Sequence, residues 1–225
     1  MILGALSLGK TDALDGECVE TQFFVLGVPL VPMGSRYCTW ASGFRSQGFP
    51  IRLQWKSILF TYLRWWTVLV PLCAAFDALV FGTTETSTLT VRALHWGISL
   101  SVIALWIWVC FYVPRPNELA RRQRRVLGFA TGVRAWPEIL TRESLAGFAG
   151  QLDETWRRRS LPDWRSRDAL QVAGSDLLIL YALLRYAHVL EPAAGWRAAR
   201  DATWQRIQLD WSMIEPVVRP AGARR

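Results

Sequence analysis

Asp77 and His95 are the residues whose types and spacing come closest to chemistry. A carboxylate beside an imidazole can pass a proton near neutral pH, because imidazole is the side chain that ordinarily titrates there. Each stands inside an otherwise apolar run, Asp77 within 58–81 and His95 within 93–113. If the two runs are antiparallel helices joined by a short loop, the pair falls at one depth, a few residues inside one end. A charge in an apolar layer is costly and seeks a partner. The functional expectation is a proton or ion relay, or a ligand site shared with another subunit. The plainer expectation is a pair near the lipid headgroups, bonded to each other or to water, and the shallow depth favours it.

The rest of the chain offers less. Cys18, Cys38, Cys73 and Cys110 stand singly, and no Cys-x-x-Cys pair marks a zinc ribbon, a redox dithiol or a haem attachment. Cys73 and Cys110 lie in the apolar runs, where a thiol serves as a small hydrophobe. The two histidines, His95 and His188, fall at opposite ends of the expected topology, which leaves a Ser/His/Asp triad hard to assemble. His188 suits the C-terminal end of a helix, where a cation meets the dipole. Asp153, Glu154, Asp163, Asp168 and Asp176 are scattered among arginines, as on a solvated, ion-paired surface. The sequence therefore designates no catalytic, cofactor-binding or metal-ligating residue and no cofactor, and it argues against an enzyme.

The elements that would position Asp77 and His95 are plain. A helix rises about 1.5 Å per residue and the hydrocarbon layer is about 30 Å thick, so about 20 apolar residues span it. Both runs are long enough, and 82–92 is the loop between them. Arg64, beside Trp65 and Trp66, is expected to anchor the first helix in an aromatic belt at the membrane interface, its charge snorkelling to the headgroups. Pro71 is expected to kink that helix. Helices in lipid meet through small residues, so Ala74 and Ala78 are expected to face Gly97 and Ser101. Basic residues keep a flank in the cytoplasm. Arg45, Arg52 and Lys56 precede the first run, and Arg115, Arg121, Arg122, Arg124 and Arg125 follow the second. Both termini are then cytoplasmic and the loop faces outward. Arg121, Arg122, Arg124 and Arg125 are expected to bind anionic lipid rather than nucleic acid, because they sit against a span and no aromatics alternate with them.

The flanks differ in kind. The opening residues lack the basic leading region and unbroken apolar stretch of a secretory signal. Residues 1–56 carry β-forming runs at 17–26 and 33–40, and Phe49, Ile51, Leu53 and Trp55 alternate as in a half-buried strand. Three or four antiparallel strands are expected, with a hairpin loop at 41–48. Pro29 and Pro32 suit an edge strand or turn; a docking surface is the rival reading. Such a module buries little core and needs support from elsewhere. From 115 onward everything has helical spacing: a basic helix under the membrane, then amphipathic helices over 141–159, 168–190 and 195–213, the second of them central. The phrase Asp-x-Thr-Trp-x-Arg occurs at 153–158 and again at 201–206.

Bulk composition agrees with a modest membrane portion carrying polar flanks. Apolar residues make up 52%, the net charge is +8 and there are 13 tryptophans in 225 residues. Mean hydropathy is +0.17. Only Lys10 and Lys56 are lysines, a bias that a GC-rich genome would produce. The fold expected is membrane α+β: a β module over 1–56, a two-helix transmembrane hairpin over 57–114 and a cytoplasmic helical bundle over 115–225. The function expected is a membrane-anchored interaction or scaffold protein, an accessory subunit of a larger bacterial inner-membrane assembly. Its partners are the bilayer with its anionic lipids and a protein or a second copy, not nucleic acid. A homo-oligomeric two-span channel or transporter component is the alternative, and a membrane-bound enzyme the next.

Overall fold

A computed structural model describes residues 3–26, 29–42, 45–81, 89–113, 115–166, 168–192 and 195–218. Residues 82–88 of the loop expected over 82–92 lie outside the described residues, as does 219–225, while 89–92 already belong to a helix. Four strands come first: β1 (Leu3–Leu14), β2 (Glu17–Leu26), β3 (Pro29–Ser42) and β4 (Arg45–Ile51). They form one small antiparallel sheet in the order β1-β2-β3-β4. Among the described residues eight α-helices follow: α1 (Trp55–Trp66), α2 (Leu69–Phe81), α3 (Leu89–Ile107), α4 (Glu118–Thr131), α5 (Arg142–Arg158), α6 (Ser175–Leu190), α7 (Trp196–Leu209) and α8 (Trp211–Val218).

The chain divides into two compact units. One holds Met1–Ala13, Cys18–Arg36 and Leu53–Arg115; the other holds Leu14–Glu17, Tyr37–Arg52 and Pro116–Arg225. Residues of the sheet occur in both units.

In the first unit, α1 lies on the sheet. Its apolar face puts Ile58 against Phe23 and Val25, and Tyr62 closes the cluster. The rings of Phe23 and Tyr62 meet edge to face at 5.5 Å. Hydroxyls hold the start of the helix: Thr21 donates to Ser57 Oγ at 2.8 Å, and Ser35 Oγ accepts from the Gln54 backbone N–H at 3.0 Å. Buried donors are satisfied by a strand instead of water. The alternation expected through Trp55 therefore ends at Ile51, since Leu53 and Trp55 are exposed and Trp55 already opens α1.

Pro71 does interrupt the first apolar run. Proline has no N–H to return to the carbonyl four residues back, and the run breaks between Trp66 and Leu69. The Thr67 carbonyl accepts from Val70 N–H at 3.0 Å instead. Near its end α3 takes up one extra residue, a π-turn over Trp108–Tyr112 closed by Val113 N–H to Trp108 O at 3.2 Å.

The second unit is built around α6. Every residue from Leu177 to Leu184 is buried, and α4, α5 and α7 pack on it. The start of α6 falls at Ser175, seven residues later than its expected limit, because 168–171 forms a 3₁₀ turn and Gly174 enters at φ 64°. Side-chain caps start α4 and α5: Asn117 accepts from Ala120 N–H at 2.8 Å and Thr141 from Ser144 N–H at 3.3 Å. The last expected helix is two, α7 and α8, with Pro216 inside α8. The repeated phrase places Trp156 and Trp204 alike, both buried. The short β4 faces the Tyr37 end of β3: Thr39 donates to the Gln47 carbonyl at 3.4 Å. Pro29 and Pro32 sit at the other end of β3, where a missing N–H removes no bond to β4.

Candidate functional site

The strongest candidate is a polar seam between the two apolar helices. His95 Nδ1–H donates to Asp77 Oδ2 at 3.1 Å. Trp106 Nε1–H donates to Thr67 Oγ1 at 2.9 Å. Arg64 donates to the Cys110 carbonyl from Nε at 3.0 Å and from Nη2 at 2.9 Å. The numbers fall on one side of the pair as they rise on the other, so the helices are antiparallel and the three contacts keep one register. His95, Ser99, Trp106 and Cys110 share a helix face by their spacing, and Ser99 and Cys110 are buried. Polar side chains that bond across a pair of apolar helices fix its register where apolar packing alone would let it slide.

The expected Asp77–His95 pair is thus brought together, but it is not enclosed. Its side chains are 42% and 35% exposed, so the pair opens to the surface of the helix pair. The small residues are placed differently. A Cβ built on Gly97 would meet nothing within 4 Å, and Ser101 is exposed, its hydroxyl donating to the Gly97 carbonyl at 2.7 Å. Ala74 is half-buried, and the side chain of Ala78 lies outside the described residues. The inward residue at this level of α3 is Ser99, which sits between Gly97 and Ser101 in sequence and on the opposite side of the helix.

Arg64 is half-buried and does not snorkel freely, because the Cys110 carbonyl holds it and the Phe111 ring lies 5.2 Å from its guanidinium. Trp65 and Trp66 are exposed. Trp108 and Tyr112, also exposed, lie at the same end of the antiparallel pair, so exposed aromatics gather there.

The four arginines of α4 turn inward more than expected. Arg124 is 1% exposed and cannot reach a headgroup. Its Nε donates to the Arg134 carbonyl at 2.6 Å and its Nη2 to the Tyr37 hydroxyl at 3.0 Å. Tyr37 donates in turn to Glu17 Oε2 at 2.7 Å, and Glu17 Oε1 accepts from Arg134 Nη1 at 2.7 Å. Arg125 pairs with Asp15 at 3.3 Å. Burial pushes the Tyr37 phenol well above its ordinary range; Arg124 opposes that shift and Glu17 adds to it. Arg121 donates to the Pro116 carbonyl at 3.1 Å. Arg122 pairs with Glu118 at 3.4 Å and covers the Trp211 ring at 5.0 Å. A count of basic residues records their charge and not their direction, which for Arg124 and Arg125 is set by Tyr37 and Asp15, 87 and 110 positions earlier in sequence.

Asp15, Glu17, Tyr37 and Arg134 were not singled out from sequence. One local signal was present: Asp15-Gly16 between two β-forming runs. Both residues have positive φ, 49° and 88°, the conformation of a tight two-residue hairpin turn. That turn sets Asp15 and Glu17 at the arginines.

Elsewhere the two histidines remain apart in role, since His188 Nδ1 is buried without a hydrogen-bond partner while His95 serves the seam. No protein-family model matches the chain, and no similarity to a curated protein or to a solved structure is found, so its function is read from this geometry.

Proposed function

We propose that this protein is a membrane-anchored interaction protein, an accessory or scaffold subunit of a larger assembly in a bacterial inner membrane. In this reading α2 and α3 cross the bilayer as a hairpin. The Asp77–His95 end points outward, and both termini lie in the cytoplasm with the arginine-rich flanks.

One observation carries the reading. Trp55–Asp77 and Leu89–Tyr112, 23 and 24 residues, are long and apolar enough to cross a membrane, yet only 17% and 11% of their most apolar windows is buried. The core helix of a water-soluble protein has the opposite property. Leu69, Leu72, Phe76 and Leu79 of α2 and Leu94, Ile98 and Leu105 of α3 are all exposed, far more apolar surface than a soluble monomer presents. Because α1 lies on the sheet, the lipid-facing part of the first helix begins near Arg64. The interaction role rests on what the hairpin carries: a polar helical unit rich in tryptophan and arginine, residue types enriched at the energetic centres of protein interfaces.

Cys73 tests the membrane reading directly, since it is exposed while Cys18, Cys38 and Cys110 are buried. In sealed membranes a water-soluble maleimide should leave Cys73 unmodified until the sample is denatured. Rapid labelling there, or recovery of the chain in the soluble fraction, overturns the reading. Purification in mild detergent followed by mass spectrometry tests the scaffold role. A stoichiometric partner supports it, and a pure homo-oligomer refutes it in favour of a channel.

A further inference from the structure

We propose that a phosphate-bearing headgroup binds in the cavity lined by Lys10, Thr11, Arg64 and Arg115, at the end of the helix pair where exposed aromatics gather. The cavity is about 240 Å³, and Asp12, Ala13 and Phe111 complete its described wall. Small-molecule sites start at about 300 Å³, so the space suits a compact group such as a phosphate and not a whole metabolite.

Charge is the first argument. Among the described lining residues, Lys10, Arg64 and Arg115 meet one carboxylate, Asp12, and Asp12 also carries Lys56 Nζ at 2.7 Å. Lys10 Nζ lies 3.1 Å from Glu20. Among the described side chains here, Lys10, Lys56, Arg64 and Arg115 outnumber Asp12 and Glu20, a balance that favours an anion. Arg115 is exposed and stacked at 4.3 Å on the Tyr112 ring. Stacking fixes the plane of a guanidinium and leaves its N–H edge for a phosphate oxygen.

Thr11 is the second and independent argument. It lines the cavity at 3% exposure, and its Oγ1 has no hydrogen-bond partner. A buried hydroxyl left without a partner is destabilising. A ligand oxygen seated on the wall would supply the missing bond.

Position is the third. Trp66, Trp108 and Tyr112 lie around this end, as aromatics do at the headgroup level. A phospholipid is the source of the phosphate if the membrane reading under Proposed function holds, and this part of the inference rests on that reading; inorganic phosphate is the other source of the same chemistry.

The test is the unfolding temperature of the full chain in detergent, titrated with phosphatidylglycerol, with phosphatidylcholine or with inorganic phosphate, because a ligand that binds only the folded state raises it saturably. The expected result is a saturable rise with phosphatidylglycerol and an apparent affinity about tenfold weaker in Arg115→Gln, the loss expected for one charge-assisted bond. Thr11→Val should leave the ligand-free protein as stable or more so, and should shrink the ligand-induced rise. A rise with inorganic phosphate alone, lost in Arg115→Gln, supports the site and identifies free phosphate as its ligand. No saturable rise with any of the three, or an undiminished one in either variant, overturns the site. Carbonate extraction of the same preparation separates the two ideas. A chain that stays in the membrane but shows no rise refutes the site alone, whereas a soluble chain that still responds to phosphate refutes the membrane reading alone.

Discussion

The guanidinium of Arg64 closes on the backbone carbonyl of Cys110, with Nε and Nη2 3.0 and 2.9 Å away. Cys110 lies in the π-turn that ends the second apolar helix, where the extra residue disturbs the regular ladder. Arg64 supplies donors to a carbonyl that the turn would otherwise leave exposed in apolar surroundings.

Replacing Arg64 with lysine should therefore not be conservative. An ammonium has no planar fork with which to put two donors on one oxygen. Arg64→Lys should lose about 1.5–3 kcal/mol, the worth of a hydrogen bond from a charged group. Thermal unfolding in detergent measures this, and an unchanged midpoint would mean that the charge alone matters.

A double-mutant cycle on Asp77→Asn and His95→Ala should give a small coupling. The pair is 3.1 Å apart but more than a third exposed on both sides. Interhelical polar pairs in membranes average about 0.6 kcal/mol. A coupling several times larger would show that the pair is enclosed by a further helix, as in an oligomer.

Two glycines should respond in opposite directions to alanine. At Gly48 an added Cβ would run into the Tyr37 carbonyl oxygen, a backbone atom that cannot step aside. Gly48→Ala should cost about 1–3 kcal/mol, the range for overpacking. At Gly97 the same Cβ meets open space, so Gly97→Ala should stabilise α3 by up to about 1 kcal/mol through helix propensity. Parallel melts of the two variants check both, and a destabilised Gly97→Ala would indicate that another helix packs there.

The Tyr37 network sets an alkaline limit. Burial raises the phenol's pKa in the folded protein above its ordinary value of 10.0. A group whose folded pKa is raised holds its proton more tightly when folded. Its contribution is complete below the unfolded pKa and is lost as pH climbs above about 10 towards the folded value. Denaturation followed from pH 8 to 11 should show flat stability below about pH 10 and a fall above it, less steep in Tyr37→Phe. Glu17→Gln should cost about 3–5 kcal/mol at neutral pH, because it removes the buried carboxylate that accepts from Arg134 Nη1 and from the Tyr37 hydroxyl.

The sequence by itself determined the two apolar helices, the β-rich start and the helical C-terminal part. These depend on periodicity and on composition over ten to twenty residues, which the chain carries locally. It also singled out Asp77 and His95, because an ionisable residue in an apolar run stands out wherever it lies. Only the tertiary structure decided where the charges point. Arg124 belongs to a run that composition marks as a basic surface, yet it is buried because Tyr37 and Glu17 arrive from strands far earlier in the chain. The division of the β module between two units was equally hidden, since a strand's period is the same on both sides of such a boundary. The cavity around Thr11 was invisible for the same reason: Lys10, Arg64 and Arg115 share no local pattern, and long-range packing alone makes them neighbours.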